Sequence, residues 1–167
     1  MSIVEHKALG PDRARVFVLT VSDTRTDAND ASGQAIIELL LAAGHQIAGK
    51  AIEPDDPARV AELVRQQAAI GDVDAIISTG GTGLTSRDST FEAIDALLTK
   101  RLPGFGELFR MLSYHDIGAA AMMSRACAGT IGQVVVISLP GSESAVRLAM
   151  TKLVVPELGH LVQQAKK

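Results

Sequence analysis

Residues 74–83 read DAIISTGGTG, an apolar run that ends in a loop with three glycines. Asp74–Ser78 has the length and composition of a strand buried on both faces, which predicts a position inside a parallel sheet. Two other runs share this character, Val16–Val21 (VFVLTV) and Val134–Leu139 (VVVISL). Because helical patterns alternate with these runs, we predict an α/β fold with a parallel sheet and helices on both of its faces.

The rest of the pattern adds a more polar strand over His45–Glu53 and leaves Gly118–Cys127, rich in small residues, without a clear preference. The predicted helices are Ser32–Ala43, Pro57–Ile70, Ser89–Leu98, Phe105–Ser113, Glu143–Met150 and, after a break at Pro156, Val155–Ala165. Ligands gather at the C-terminal ends of parallel strands. The loops predicted to lie there are Ser22-Asp23, Gly80–Asp88 and Pro140–Glu143.

Length and composition indicate one globular domain of 167 residues, with a core over about 14–162 and a short flexible N-terminal tail. The net charge of −3 and the aromatic content of 3% argue against binding to nucleic acid. No apolar stretch reaches the roughly 18–20 residues that span a bilayer, and Met1–Gly10 lacks the apolar core of a signal sequence. A single cysteine, Cys127, suits a reducing cytoplasm.

The loop Thr79-Gly80-Gly81-Thr82-Gly83 has the composition of an anion-binding nest. Glycines leave backbone N–H groups uncovered, and the two threonines add hydroxyl donors. The alternative interpretation is a tight turn between a strand and a helix. The loop has neither the Gly-Lys-Ser/Thr ending of a Walker A motif nor the G-x-G-x-x-G spacing of a dinucleotide site.

Two acidic positions stand close to predicted strand ends. Asp88 follows Arg87 just after the glycine loop, and Asp55 and Asp56 follow the second strand. A cation suits a phosphate site directly, whereas a carboxylate beside phosphate is explained by a bridging Mg²⁺. The sequence therefore allows a magnesium site formed by Asp88 and one acid of the Asp55-Asp56 pair.

Each of these polar positions also has a structural interpretation. Asp88 or Ser89 could be the N-cap of the helix that follows, and Asp55-Asp56 could be a solvated turn with a cap. Ser22-Asp23 could equally contact a ligand or cap the next loop. Cys127 lies among small residues, which predicts a buried thiol. None of the four histidines has the spacing of a metal site with another histidine or the cysteine.

Five motifs in combination resemble those of the MoaB/MogA family of molybdenum cofactor biosynthesis proteins, over nearly the whole chain. They are VLTVSDTRT (Val18–Thr26), STGGTGLTSRDSTFEAI (Ser78–Ile94), GFGELFRMLSYHDIG (Gly104–Gly118), SRACAGT (Ser124–Thr130) and SLPGSESAV (Ser138–Val146).

The resemblance implies a three-layer α/β sandwich with a mainly parallel sheet, the molybdopterin-binding fold, and a homotrimer or a hexamer of trimers. It also implies that the chain binds molybdopterin, a pterin with a dithiolene and a terminal phosphate. Active members of the family adenylylate this phosphate with Mg-ATP and release pyrophosphate, which prepares the pterin for molybdate insertion. The molybdate-insertion enzyme is therefore a potential partner, and the sequence does not distinguish a molybdenum from a tungsten pathway.

The family associates two acids with catalysis, and these correspond to Asp88 and Asp55 here, with Asp56 as the neighbour that could replace Asp55. Some MoaB-type members lack the acids and look non-catalytic, and Gly104–Gly118 looks MoaB-like. Because this chain keeps both acids, we expect an adenylyltransferase, with a molybdopterin carrier or scaffold as the alternative. An unrelated nucleotide-binding domain is a weaker third hypothesis.

Combining motif and resemblance gives a set of expected ligand contacts. The glycine loop would hold phosphate through its N–H groups, and Mg²⁺ would be bound by Asp88 and Asp55. The residues expected to line the pterin or nucleotide sites are Ser22, Asp23, Thr79, Gly80, Gly81, Thr82, Gly83, Arg87, Ser113, Pro140, Gly141 and Ser142.

Overall fold

The computed structural model describes residues 13–167, and the predicted N-terminal tail lies outside this range. Within it, six strands form one sheet in the order β2-β1-β3-β6-β5-β4. The first four strands in this order run parallel, whereas β5 is antiparallel to both β6 and β4. The strands are β1 (Arg15–Val21), β2 (Gln46–Glu53), β3 (Ala75–Thr79), β4 (Lys100–Arg101), β5 (Cys127–Ile131) and β6 (Val134–Leu139). The predicted mainly parallel sheet is confirmed.

Helices cover both faces of this sheet, as predicted. They are α1 (Ala31–Ala42), α2 (Pro57–Ala69), α3 (Thr90–Asp95), α4 (Pro103–Ile117), α5 (Glu143–Ala149) and α6 (Val155–Ala165). One face packs against α1, α4, α5 and α6 through residues that include Ile36, Phe109 and Leu158. The other face packs against α2 and α3 through Val64 and Ile94. The result is a three-layer α/β sandwich.

Successive side chains of β1 lie in the cores on opposite faces of the sheet, which explains why most residues of the strand are apolar. Val16 and Val18 belong to the core on one side of the sheet, and Phe17 and Leu19 belong to the core on the other. Successive side chains of a strand point to opposite faces, so a strand covered on both sides must be apolar throughout.

The structure differs from the predicted elements in the second half of the chain. Gly118–Met123 is a 3₁₀ helix, and the small residues after it open the unpredicted strand β5. The predicted break at Pro156 is wrong, because a π-helical turn over Met150–Val154 keeps the chain helical from α5 into α6. Proline lacks an N–H donor and crowds the preceding turn, and a wider turn accommodates both effects.

The start of α1 is fixed by a buried carboxylate. Asp30 accepts hydrogen bonds from the Gly33 N–H at 3.0 Å and the Thr20 hydroxyl at 2.8 Å, and it lies 2.9 Å from the Lys50 ammonium. Burial raises the pKa of Asp30, but the hydrogen bonds from Lys50, Gly33 and Thr20 outweigh it and the net pKa is lowered. The acid is therefore charged at neutral pH and caps the helix next to the C-terminal end of β1.

None of the helices in residues 13–167 is long and apolar enough to cross a membrane.

Candidate functional site

The loops after β3 and β6 meet at the C-terminal edge of the sheet, as the sequence predicted. The Gly80 N–H donates to the Leu139 carbonyl at 3.0 Å, and the Thr79 hydroxyl donates to the Pro140 carbonyl at 2.8 Å. The Ser32 hydroxyl of α1 donates to the Gly141 carbonyl at 2.7 Å. These bonds join the glycine loop, the Pro140-Gly141 turn and the first turn of α1 into one surface.

A cavity of about 280 Å³ opens on this surface. Its walls contain five of the predicted site residues, Ser22, Thr79, Gly80, Gly81 and Gly141. The residues of the wall that sequence reasoning missed are Thr20, Val21, Thr24, Arg25 and Ser32. Most of these carry hydroxyl groups and one carries a guanidinium, so the cavity suits a polar, anionic group.

Ser113 and Ser142 do not line this cavity. They lie together in a second cavity of about 180 Å³, between the C-terminal half of α4 and the first turns of α5. Ser142 is also the N-cap of α5, where its hydroxyl accepts the Ala145 N–H at 3.4 Å. Seven of the twelve predicted ligand-binding residues thus line two separate cavities. The residues that line neither cavity are Asp23, Thr82, Gly83, Arg87 and Pro140, together with the acids Asp55 and Asp88.

Glycine is required at two positions of the loop. Gly80 and Gly81 have φ angles of +98° and +65°, in the left-handed region. A Cβ on Gly80 would lie 2.1 Å from the Val21 carbonyl oxygen, and one on Gly81 would lie 2.1 Å from the Thr90 hydroxyl. Tight turning and close backbone approach therefore both explain the sequence here.

The expected phosphate nest is smaller than the sequence suggested. The Gly80 N–H and the Thr79 hydroxyl already donate to the carbonyls of the β6 loop, so neither is a free donor. The Gly83 N–H helps to lower the pKa of Asp88, and Gly83 lies against that carboxylate, so this N–H faces an acid rather than an open anion site. Within residues 13–167, the N–H groups of Gly81 and Thr82 form no hydrogen bond, and they are the donors that remain for an anion.

The two acids after β2 turn towards different helices. Asp55 Oδ1 accepts hydrogen bonds from the Ser89 N–H at 3.3 Å, the Ser89 hydroxyl at 3.0 Å and the Thr90 hydroxyl at 3.2 Å. Asp56 Oδ1 instead accepts the Ala58 and Arg59 N–H groups, both at 3.0 Å, and caps α2. The cap interpretation holds for Asp56, whereas Asp55 lies against the loop that carries Asp88.

Asp88 folds back on its own loop. Its Oδ2 accepts the Thr85 N–H at 3.0 Å and the Thr85 hydroxyl at 2.6 Å. The hydroxyl bond lowers the pKa of Asp88 most and prevails over burial, which raises it. The N-cap of α3 is Ser89, and its side chain forms no capping bond. The alternative interpretation is therefore confirmed for Ser89, which is the N-cap although it forms no capping bond, and not for Asp88.

Asp23 and Arg87 form an ion pair across the site. The Arg87 Nη2 lies 2.6 Å from Asp23 Oδ2, and Asp23 Oδ1 accepts the Asp55 N–H at 3.1 Å. The hydrogen bond from Arg87 is the largest cause of a lowered pKa at Asp23. Arg87 therefore has a carboxylate partner already, and Asp23 links the β1, β2 and β3 loops.

Sequence reasoning also missed Arg125, which precedes β5 and reaches the glycine loop. Its Nε donates to the Thr82 carbonyl at 3.0 Å, and its Nη2 donates to the carbonyls of Gly83 and Asp88. The Cys127 thiol two residues later is partly buried, and burial raises its pKa to about 11. The predicted buried thiol is therefore only partly buried.

Comparisons with known proteins identify the family. Residues 17–160 match the model described as a probable molybdopterin binding domain. The chain belongs to this family. Molybdenum cofactor biosynthesis protein B of Bacillus cereus is 52% identical over 162 residues, which cover 96% of each chain. The molybdopterin-binding domain family thus accounts for nearly all of the sequence.

Solved structures of family members have the same fold. A crystal structure of molybdenum cofactor biosynthesis protein B is 51% identical, with a TM-score of 0.90 over 92% of this chain and 96% of the other. The tungsten cofactor synthesizing protein MoaB from Pyrococcus furiosus is 38% identical, with a TM-score of 0.84 over 94% and 99%. The resemblance drawn from the motifs is confirmed.

Proposed function

We propose that this protein binds molybdopterin and transfers an adenylyl group from ATP to its terminal phosphate, in the cytoplasm. The observation that carries this proposal is the hydrogen bonding of Asp55 to Ser89, the residue next to Asp88. It brings the two acids that the family associates with catalysis to one end of the sheet, beside a glycine loop with free N–H donors. A purely structural turn would not need this combination.

We expect the two cavities to bind different parts of the substrates. The polar cavity of about 280 Å³ next to Gly81 takes phosphate groups, because Arg25 and several hydroxyl groups line it. The cavity of about 180 Å³ that contains Ser113 and Ser142 also has apolar walls, including Ile117 and Leu148, and it suits a ring system.

The residues present fit Mg²⁺. Asp55 and Asp88 offer only oxygen donors, which this hard cation prefers. Asp55 Oδ1 accepts three hydrogen bonds, whereas its Oδ2 forms none within residues 13–167 and is directed to Gly81. No group of three or more candidate ligand residues occurs in that range, so phosphate oxygens and water must complete the coordination. When bound, Mg²⁺ neutralises charge on the triphosphate and on the leaving pyrophosphate.

The reaction needs positioning more than proton transfer. An oxygen of the molybdopterin phosphate forms a bond to the α-phosphorus of ATP. The bond from this phosphorus to the oxygen bridging the β-phosphorus breaks, and the electron pair leaves with pyrophosphate. A phosphate is ionised near neutral pH, so no general base is required. The N–H groups of Gly81 and Thr82 orient phosphate oxygens. The hydrogen bonds of the glycine loop hold these N–H groups in place before the reaction.

A molybdopterin carrier without catalysis is the second candidate. It is favoured by the hydrogen bonds that Asp55 and Asp88 form within the site, because these bonds give both acids a structural role. A carrier would use the same cavities and would form no product from ATP. Dependence on Mg-ATP therefore separates the two functions.

We also propose a homo-oligomer, a trimer or a hexamer of trimers. One side of α4 exposes Leu108, Met111, Tyr114 and Ile117, with exposed fractions of 48% to 61%. A three-residue spacing places them along one stripe of the helix, and apolar stripes of this kind are typical of subunit contacts. Light scattering of the purified protein distinguishes a trimer from a hexamer. A molybdate-insertion enzyme is the partner expected to take the product.

The test is a product assay on the full chain with molybdopterin, ATP and Mg²⁺, read by mass spectrometry. Adenylyl-molybdopterin that forms only when all three are present supports the transferase. Retained molybdopterin without an adenylylated product supports the carrier.

A further inference from the structure

Arg125 forms hydrogen bonds with several residues of the loop that carries Asp88, although Arg125 is distant from this loop in the sequence. Its Nε donates to the Thr82 carbonyl at 3.0 Å, and its Nη2 donates to the Gly83 carbonyl and, at 3.3 Å, to the Asp88 carbonyl. These carbonyls lie 37 to 43 residues earlier in the sequence. One guanidinium thus joins the beginning of the Thr82–Asp88 loop to its end.

The same side chain anchors the loop to α3. Arg125 Nη1 forms an ion pair with Glu92, and its guanidinium carbon lies 4.9 Å above the centre of the Phe91 ring. The Arg125 side chain is 21% exposed, so its position is fixed by packing as well as by hydrogen bonds. Four of its five N–H groups are already committed.

These contacts decide which way the loop peptides face. In a trans peptide the carbonyl and the following N–H point in opposite directions. Because the Thr82 carbonyl is directed to Arg125, the Gly83 N–H is directed away from it. Gly83 lies against the Asp88 carboxylate, whose Oδ2 would be 2.5 Å from a Cβ on this glycine. The guanidinium therefore fixes the orientation of the peptide against which the acid packs.

We infer that Arg125 is a positioning residue for the transfer reaction, which holds the Thr82–Asp88 loop and thereby the Asp88 carboxylate. The inference rests on the proposed function. Arg125 has too few free donors to be a main substrate contact, and its role is exerted through the loop. A lysine cannot replace it, because a single ammonium does not reproduce the planar fork that reaches three carbonyls.

Arg125→Met and Arg125→Lys test this role, with Arg101→Met as the matched control. Arg101 is also paired with α3, through Asp95 at 2.8 Å, but contacts no residue of the loop. Hydrogen exchange followed by mass spectrometry reports on loop order without any activity. We expect peptides covering 82–90 to exchange at least about tenfold faster in both Arg125 variants, with α2 peptides unchanged. Unchanged exchange in the loop would overturn the inference.

The kinetic arm measures kcat and the Mg²⁺ concentration that gives half-maximal rate. We expect both Arg125 variants to lose at least about tenfold in kcat and to need more Mg²⁺, while Arg101→Met behaves as wild type. A lower kcat with unchanged Mg²⁺ dependence, or full rescue by lysine, would overturn the inference. If the wild type forms no product, the proposed function fails, and the exchange experiment still decides whether Arg125 orders the loop.

Discussion

Asp55 and Ser89 are joined by two hydrogen bonds, from the Ser89 N–H at 3.3 Å and from its hydroxyl at 3.0 Å, to one carboxylate oxygen. The pair connects the loop after β2 to the beginning of α3, across 34 residues of sequence. Asp88 immediately precedes Ser89, so both candidate catalytic acids lie against the glycine loop, Asp55 beside Gly81 and Asp88 beside Gly83. It also leaves Asp55 Oδ2 without a hydrogen bond within residues 13–167, available for a cation.

Asp55→Asn removes the charge and keeps an oxygen for Ser89. We expect product formation to fall by about 100-fold, because charge neutralisation on the triphosphate is lost while the fold stays intact. Asp56→Asn is the matched control. Asparagine caps helices as well as aspartate does, so its rate should stay within about twofold of wild type. Equal losses in the two variants would contradict the assignment of Asp55.

Asp88→Asn should abolish most turnover and leave molybdopterin binding largely unchanged. The measurements are the rate of product formation and the equilibrium binding of molybdopterin to the same preparation. Comparable turnover in this variant would refute the role of Asp88. We expect a loss of about 100-fold, since a charged group is removed and its volume is kept.

Thr85→Val tests the pKa of Asp88 through the hydrogen bond that lowers it most. Without the hydroxyl the pKa of Asp88 rises, so the carboxyl takes up its proton at a higher pH. The low-pH limb of the rate profile should therefore move to higher pH, while the rate at pH 8 changes little. A profile that coincides with that of the wild type would show that Asp88 ionisation does not control the rate.

Gly80→Ala and Gly44→Ala distinguish backbone strain at positive φ from a steric clash of the added Cβ. Both glycines have positive φ, +98° and +85°, but an added Cβ meets the Val21 carbonyl at 2.1 Å only at Gly80 and meets nothing within 4 Å at Gly44. We expect Gly44→Ala to cost about 1–2 kcal/mol of unfolding free energy and Gly80→Ala at least about 2 kcal/mol more. Denaturant unfolding measures the free energy of unfolding of both variants. Equal losses would argue against the close approach of Gly80 to the Val21 carbonyl.

His45 should make stability depend on pH. Burial lowers the pKa of His45, and its Nδ1 accepts the Ala14 N–H at 3.1 Å, which requires the neutral ring. Because the pKa is lower in the folded state, the unfolded chain binds the extra proton as pH falls below about 6.5. The unfolding free energy should therefore drop between pH 7.5 and pH 5. In His45→Asn, which keeps an acceptor without titrating, this drop should be smaller.

The strands and the loops at their ends could be predicted because their signals are local. Runs of β-branched residues predict buried strands, and glycines predict turns, without any knowledge of tertiary contacts. The sequence could not separate Asp55 from Asp56, because neighbours share every local signal and only the turn directs one to α3 and the other to α2. It also could not show that the Thr79 hydroxyl and the Gly80 N–H donate hydrogen bonds to the end of β6 and the loop after it.

Arg125 and β5 were beyond the sequence for the same physical reason. The partners of Arg125 lie 33 to 43 residues away, so no spacing indicates them. Cys127–Ile131 is short and rich in small residues, and it becomes a strand through antiparallel pairing with β6. Its structure depends on tertiary contacts rather than on propensity.

The most direct test uses ATP labelled at its α-phosphate, with the full chain, molybdopterin and Mg²⁺. The proposed transferase predicts that label appears in adenylyl-molybdopterin with one pyrophosphate released for each product, and that Asp88→Asn lowers the rate of both signals by about 100-fold. Molybdopterin that is bound by the protein but remains unlabelled, with no pyrophosphate released, would contradict the account and leave a carrier whose acids only hold its loops together.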